Sequence, residues 1–341
     1  MKRKNNVIFV AKDKGGFDSL LPVFKKIKQN KNFGVFALLD GFALQFAKLH
    51  NIKNIDASKL SVAEIEEKIN RINPSLILTS TSIGYSIDKK VIKIAKKNKI
   101  STATLVDYWN NYKGRFGKNL EYLADYILAV DERMKKEIID SGVSDNKIFI
   151  TGNPRFDKFL KLSKHKADSN LIVFYSQPFS EVPAVDFHKF NEVEILKDIV
   201  KVLGNIYPDK KLIIKFHPSE KNFKKFDKII KNAKIKIEIE KNLQAQDLNK
   251  KAGLVIGINS MALFDAVLMG KRVLSYQPGQ SEEKDTLASS RYKWSFPVYK
   301  KSELSSGFKK NYARKLPPKK IFSKYLKTNA TENIIKFITS L

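Results

Sequence analysis

Short apolar runs without polar alternation recur along the chain. Each ends in a polar turn, and most turns lead into a stretch with apolar positions three and four apart. Such runs suit strands buried on both faces of a parallel sheet, and the stretches between them have the period of one-sided helices. Strands are predicted over 6–11, 34–39, 76–78, 102–106, 126–130 and 147–150. Helices are predicted over 17–29, from 42 to His50, and over 61–72, 88–98 and 131–141. Ser61 and Glu64 have capping-box spacing at the start of the third. Residues 107–117 form a polar, aromatic loop.

The rhythm resumes after a linker at 161–170. Strands are predicted over 171–175, 212–216 and 235–239, with a helix over 191–203. The clearest unit is 252–278, with a strand at 254–258, Asn259-Ser260, a helix closed by Gly270, and a strand opened by Val273-Leu274. Periodicity is weak over 291–312, and no element is assigned there. A last helix covers 330–340. Strands and helices in alternation imply an α/β fold with two doubly wound parallel-sheet domains.

In open parallel sheets the ligand crevice lies outside the carboxyl ends of the strands. The residues there are KDKGG, DG, TSTS, DYWNNYKGR, TGNPR, SQP, HPSE, NS and YQPG. Nearly all offer hydrogen bonds, which suits a polar ligand such as a nucleotide-sugar. Asn259 and Ser260 either cap their helix or hold a phosphate at its N-terminus. His217, made rigid by Pro218, either hydrogen-bonds or protonates a phosphate, or is a turn histidine. Gly15 and Gly16 allow a ligand or another backbone to approach closely. Asp13 and Asp18 flank that turn as candidate carboxylate bases, or as surface and capping groups. Asp107, Trp109, Asn110 and Arg115 lie in the densest polar-aromatic cluster, where a ring can stack on a sugar or base and the guanidinium can meet an anion. Burial of Trp109 to anchor the loop is the other reading. His50, His165 and His188 are taken as structural.

The chain has 341 residues, 43% of them hydrophobic, enough for two cores. No apolar run is long enough to cross a bilayer, and the first is too short for a signal-peptide core. The absence of cysteine excludes disulfides and thiolate metal sites and fits a cytoplasmic protein. The net charge of +29 calls for an anionic partner, unless it reflects genome composition. No zinc-finger, RNP or basic-zipper pattern is present. A phosphorylated substrate, or an anionic membrane face with the protein peripheral on its inner side, is therefore preferred to nucleic acid. Neither a dinucleotide fingerprint nor a Walker A loop occurs, and no metal-ligand spacing stands out. No metal and no cofactor are expected.

Three segments carry a resemblance: TGNPRFDKF at 151–159, HPSE at 217–220 and GINSMALFDAVLMGKRVLSYQP at 257–278. With them the chain resembles the GT-B glycosyltransferase superfamily, which includes the fold of the non-hydrolysing UDP-N-acetylglucosamine 2-epimerases. The resemblance implies two Rossmann-like domains: an acceptor-side domain over 1–160 and a nucleotide-binding domain over 171–325. It also implies a final helix, 326–341, packing back on the first domain. The His-Pro and serine motifs are similar to those of bacterial sialyl- and Kdo transferases. That similarity implies that His217 and Ser260 meet a donor phosphate, with Asn259 and Met261 nearby; Asn153, Ser176 and Gln177 are further nucleotide-side candidates at strand ends.

The expected function is thus a metal-independent glycosyltransferase moving a sugar from a CMP- or UDP-sugar to a glycan or lipid-linked acceptor in surface polysaccharide synthesis. The alternatives are a CDP-glycerol-type glycerophosphotransferase, a UDP-N-acetylglucosamine 2-epimerase-like enzyme, or a non-catalytic nucleotide- or glycan-binding protein. The acidic base motif of the sialyltransferases is absent before His217, with Leu39-Asp40-Gly41 its nearest counterpart, which leaves Asp13, Asp18 and Asp107 as the candidate bases. The acidic and histidine signature of the epimerases is replaced by VDYWNNY.

Overall fold

The computed structural model describes residues 5–161, 167–181 and 190–341. The chain divides into two units, Met1–Lys158 with Phe322–Leu341, and Phe159–Ile321.

The first unit alternates β1 (Asn5–Ala11), α1 (Lys14–Ile27), β2 (Phe33–Leu39), α2 (Gly41–Leu49), β3 (Ile55–Asp56), α3 (Val62–Ile72), β4 (Leu76–Ser80), α4 (Ile87–Lys97), β5 (Ser101–Leu105), α5 (Tyr112–Phe116), β6 (Tyr126–Ala129), α6 (Glu132–Asp140), β7 (Ile148–Ile150) and α7 (Pro154–Lys161). All seven strands are parallel, in the order β3-β2-β1-β4-β5-β6-β7. Strand order reverses between β1 and β4, so the crevice of this sheet opens there. The capping box of α3 is formed, with Ser61 and Glu64 each bonding the other's backbone N–H.

The second unit contains β8 (Asp168–Tyr175), α8 (Glu192–Ile206), β9 (Lys211–Lys215), α9 (Asp227–Lys231), β10 (Lys236–Ile239), α10 (Ala245–Lys251), β11 (Ala252–Gly257), α11 (Met261–Leu268), β12 (Arg272–Tyr276), α12 (Ala288–Arg291), β13 (Phe296–Val298) and α13 (Leu304–Ala313). Its six strands are again all parallel, in the order β10-β9-β8-β11-β12-β13, with the crevice between β8 and β11. The unassigned 291–312 stretch holds β13 and α13, at the edge of this sheet. The strand predicted after the linker starts earlier, at Asp168. The histidines His165 and His188, and positions 162–166 of the linker, lie outside the described residues.

After α14 (Lys320–Tyr325), the last helix, α15 (Ala330–Ser340), belongs to the first unit. Ile334 and Ile338 are buried in that unit's core among Phe24, Val23 and Ile27 of α1 and their neighbours. The TGNPRFDKF segment is its seat. A Cβ on Gly152, whose φ is +85°, would lie 2.4 Å from the carbonyl oxygen of Lys327, so only glycine fits. The Asp157 carboxylate accepts the N–H groups of Ala330 and Thr331, each at 3.0 Å, and so caps α15. The Asn333 amide donates to the Thr151 carbonyl at 3.0 Å.

Candidate functional site

In the first unit, the residues just after β1, β4 and β5 meet at the crevice. Asp13 precedes α1 as its N-cap residue, but its side chain makes no capping hydrogen bond. Its carboxyl is held above the usual carboxylate range. Burial is the main cause, the Ser82 hydroxyl works against it, and the nearby Asp107 carboxylate adds to the rise. Asp107 has a different environment. Its Oδ1 accepts from the Arg115 guanidinium at 2.9 Å and from the Thr81 hydroxyl at 3.3 Å. Two carboxyls in unlike surroundings, one shifted toward its neutral form by burial and one facing a cation, suit opposite roles in proton transfer.

The glycines belong to this geometry, though not as a loop. Helix α1 already starts at Lys14, so Gly15 and Gly16 lie in its first turn. A Cβ at Gly16 would stand 2.3 Å from the Ser80 hydroxyl, and one at Gly15 would stand 3.0 Å from Asp107 Oδ2. What approaches closely is the end of β4 and the Asp107 carboxylate. The Ser80 hydroxyl is buried and has no hydrogen-bond partner among the described residues.

The structure corrects three readings of the 107–117 segment. Trp109 offers no face to a ligand: it is buried, stacks on Phe156 with centroids 6.0 Å apart, and donates from Nε1 to Asp131 at 2.8 Å. Arg115 is no open anion receptor. It is 7% exposed, pairs with Asp107 and donates from Nε to the Asn110 carbonyl at 2.9 Å. The segment contains a short helix, α5, with Asn111 as its N-cap. Asp18 stands apart from the carboxyl pair, ion-paired with Lys14 and with Arg155, the latter at 2.9 Å. Asp40, compared above with a base motif, caps α2. Asn153 is buried, its Oδ1 accepts the Arg155 backbone N–H at 3.0 Å, and its Nδ2 finds no partner among the described residues. His50 stacks on Phe17.

In the second unit, Gln177 after β8 and Asn259 after β11 span the crevice. Gln177 Nε2 donates to Asn259 Oδ1 at 2.9 Å, and the Asn259 backbone N–H returns to Gln177 Oε1 at 3.1 Å. The Asn259 amide also donates to Thr286 at 2.8 Å. Ser260 caps α11 by accepting the Ala262 N–H at 3.2 Å, and Met261 is the helix's first residue. His217 is exposed beside Pro218, with Nδ1 2.6 Å from the Ser219 hydroxyl.

Beneath this edge lies a network of which only Ser176 and Glu220, in SQP and HPSE, were visible from sequence. Ser176 donates to Glu220 at 2.6 Å, and Glu220 also accepts the backbone N–H of His217. The Lys225 ammonium sits among Glu181, Glu192 and Glu220 at 2.9, 2.6 and 2.6 Å. These three carboxylates could surround a metal ion, but a lysine occupies the position between them. Burial alone would depress the Lys225 pKa; its hydrogen bonds to Glu192, Glu220 and Glu181 outweigh that and raise it. Nothing in the sequence singles out Lys225 among 64 lysines and arginines.

Comparison with known proteins favours one of the alternatives. A family model described as UDP-N-acetylglucosamine 2-epimerase matches residues 119–339. A UDP-N-acetylglucosamine 2-epimerase of Methanocaldococcus jannaschii is 30% identical over 215 residues, which is 57% of this chain and 57% of that protein. The chain thus spans less than two thirds of that relative's length. Among solved structures, the M. jannaschii UDP-GlcNAc 2-epimerase in complex with UDP-GlcNAc and UDP has a TM-score of 0.73 at 16% identity, covering 98% of this chain and 100% of that one. The Neisseria meningitidis UDP-GlcNAc 2-epimerase bound to UDP-GlcNAc has a TM-score of 0.73 at 14% identity, with coverage of 98% and 100%. Acinetobacter baumannii MurG has a TM-score of 0.62 at 11% identity, with coverage of 99% and 100%. At these identities the solved structures show the fold alone, which is the GT-B-like fold of two parallel-sheet α/β domains. The family match overturns the glycosyltransferase expectation. That expectation leaned on His-Pro and serine motifs, and a shared fold carries many chemistries.

Proposed function

Since the chain belongs to the UDP-N-acetylglucosamine 2-epimerase family, we propose that it is an enzyme acting on a UDP-linked N-acetylhexosamine and inverting the configuration at C2. Inversion at C2 requires one group that takes the C2 proton while its electron pair expels UDP from C1, and one that returns a proton to the opposite face of C2 as UDP adds back to C1. The observation that carries the reading is the pair Asp13 and Asp107 at the crevice of the first sheet. Asp107, beside Arg115, is the acceptor, and Asp13, whose burial favours its protonated form, is the donor. Proton exchange consumes no electrons, so the reaction as proposed calls for no redox cofactor. We assign it no metal either, and a chelator is expected to leave the rate unchanged.

The test is incubation with UDP-N-acetylglucosamine in deuterium oxide, followed by proton NMR. The expected result is the C2 epimer, with deuterium replacing the proton at C2. Stabilisation by UDP without epimer or exchange would overturn the reading and leave a nucleotide-binding protein.

A further inference from the structure

A cavity of about 600 Å³ lies between α8 and the segment formed by α9 and the residues after it. It is on the second unit, and of the groups in the site described above only Lys225, committed to its three glutamates, lines it. On α8 the lining positions Val193, Lys197, Val200, Lys201 and Gly204 fall three and four apart, so they form one stripe along the helix. Ile229 and Ala233 face them from the other wall. A Cβ on Gly204 would come 3.1 Å from the Lys234 Cβ, so the bare glycine lets the walls draw together there.

Apolar Val193, Val200, Ile229 and Ala233 share the lining with lysines on both walls, and Glu194 is its single carboxylate. Lys197 and Lys201, one turn apart, mark one edge; Lys228 and Lys234 mark the other. Lys197 has an exposed partner in Glu194 at 3.2 Å. Lys201, Lys228 and Lys234 make no ion pair with any described residue.

We propose that this groove docks an acidic amphipathic helix of a partner protein. Such a helix lays an apolar ridge on the floor, and carboxylates flanking the ridge meet the lysines. The placement of charge decides between occupants. A lipid carries its charge at one end of an apolar chain, whereas these cations run along both edges. The stripe from Val193 to Gly204 spans about three helical turns, a fitting length for a docked helix.

The probe is a fluorescein-labelled synthetic peptide of about 18 residues, with leucines at helical spacing flanked by glutamates. Its anisotropy is followed as the full chain is added. The wild type is expected to bind it, more weakly at higher salt. Lys201→Glu with Lys228→Glu is expected to weaken binding at least about tenfold, since attraction on both edges becomes repulsion. A peptide with lysine in place of glutamate should then bind the double variant better than the wild type. Ala233→Trp keeps every charge and fills the floor, so it should abolish binding; should it misfold, the charge-swapped pair still decides. The proposal is overturned if the wild type ignores the glutamate peptide, or if charge reversal in the chain leaves binding unchanged. It is also overturned if the groove substitutions instead abolish binding to phosphatidylglycerol vesicles, or dissolve a dimer seen by sedimentation.

Discussion

Burial favours the protonated form of Asp13, and that sets both its cost and its use. A carboxyl with a raised folded pKa contributes its stability below the unfolded pKa and loses it as pH rises through the folded value. Asn, which never ionises, avoids that loss. Urea unfolding of the wild type and Asp13→Asn should therefore diverge with pH. The variant gains on the wild type as pH rises above the unfolded carboxyl's value of about 4, and a difference independent of pH would remove the physical basis for the assignment. In activity, Asp13→Asn and Asp107→Asn should each cost about 10²–10⁴-fold in kcat, the usual range for a lost general acid or base. Asp18→Asn should stay within a few-fold, because Asp18 is committed to Lys14 and Arg155.

At the scale of elements, the first turn of α1 rests against the end of β4 with no space for a side chain. Gly16→Ala should destabilise the protein by about 1–3 kcal/mol, the range for overpacking a tight contact. Adding Ser80→Gly should recover much of that loss, a coupling that a thermal-melt mutant cycle would read. The same contact explains where sequence reading fell short. Two glycines look like a loop because glycine weakens helices, and only Ser80 and Asp107, distant in sequence, make them necessary in one. Elements with strong local signals were legible: the buried runs of β1 and β11, α3 with its capping box, and α15. Those whose place depends on tertiary context were not: α5, α7, and β13 with α13. Among site groups, Asp13, Asp107 and Arg115 were visible as polar residues after strands. Arg115's commitment to its partners was not, and Trp109's burial stood only as one of two readings, because Thr81, Asp131 and Phe156 become neighbours only when the chain folds.

For the molecule as a whole, the final helix is part of the first unit's core. Deleting 326–341 strips away Leu326, Ile334 and Ile338, worth about 1.5–3 kcal/mol each by burial. That total rivals the entire stability of an ordinary domain, about 5–15 kcal/mol. Amide exchange should show protection lost over β1–β7 and kept over β8–β13; equal protection in both sheets would mean that α15 is dispensable. The same arrangement sets a timetable for synthesis. Phe159–Ile321 is one unbroken stretch, whereas the first unit needs residues more than 300 positions apart. On the ribosome, the earlier half of the chain must wait with its core incomplete while the later half gathers itself, so the part translated first is the part that finishes last.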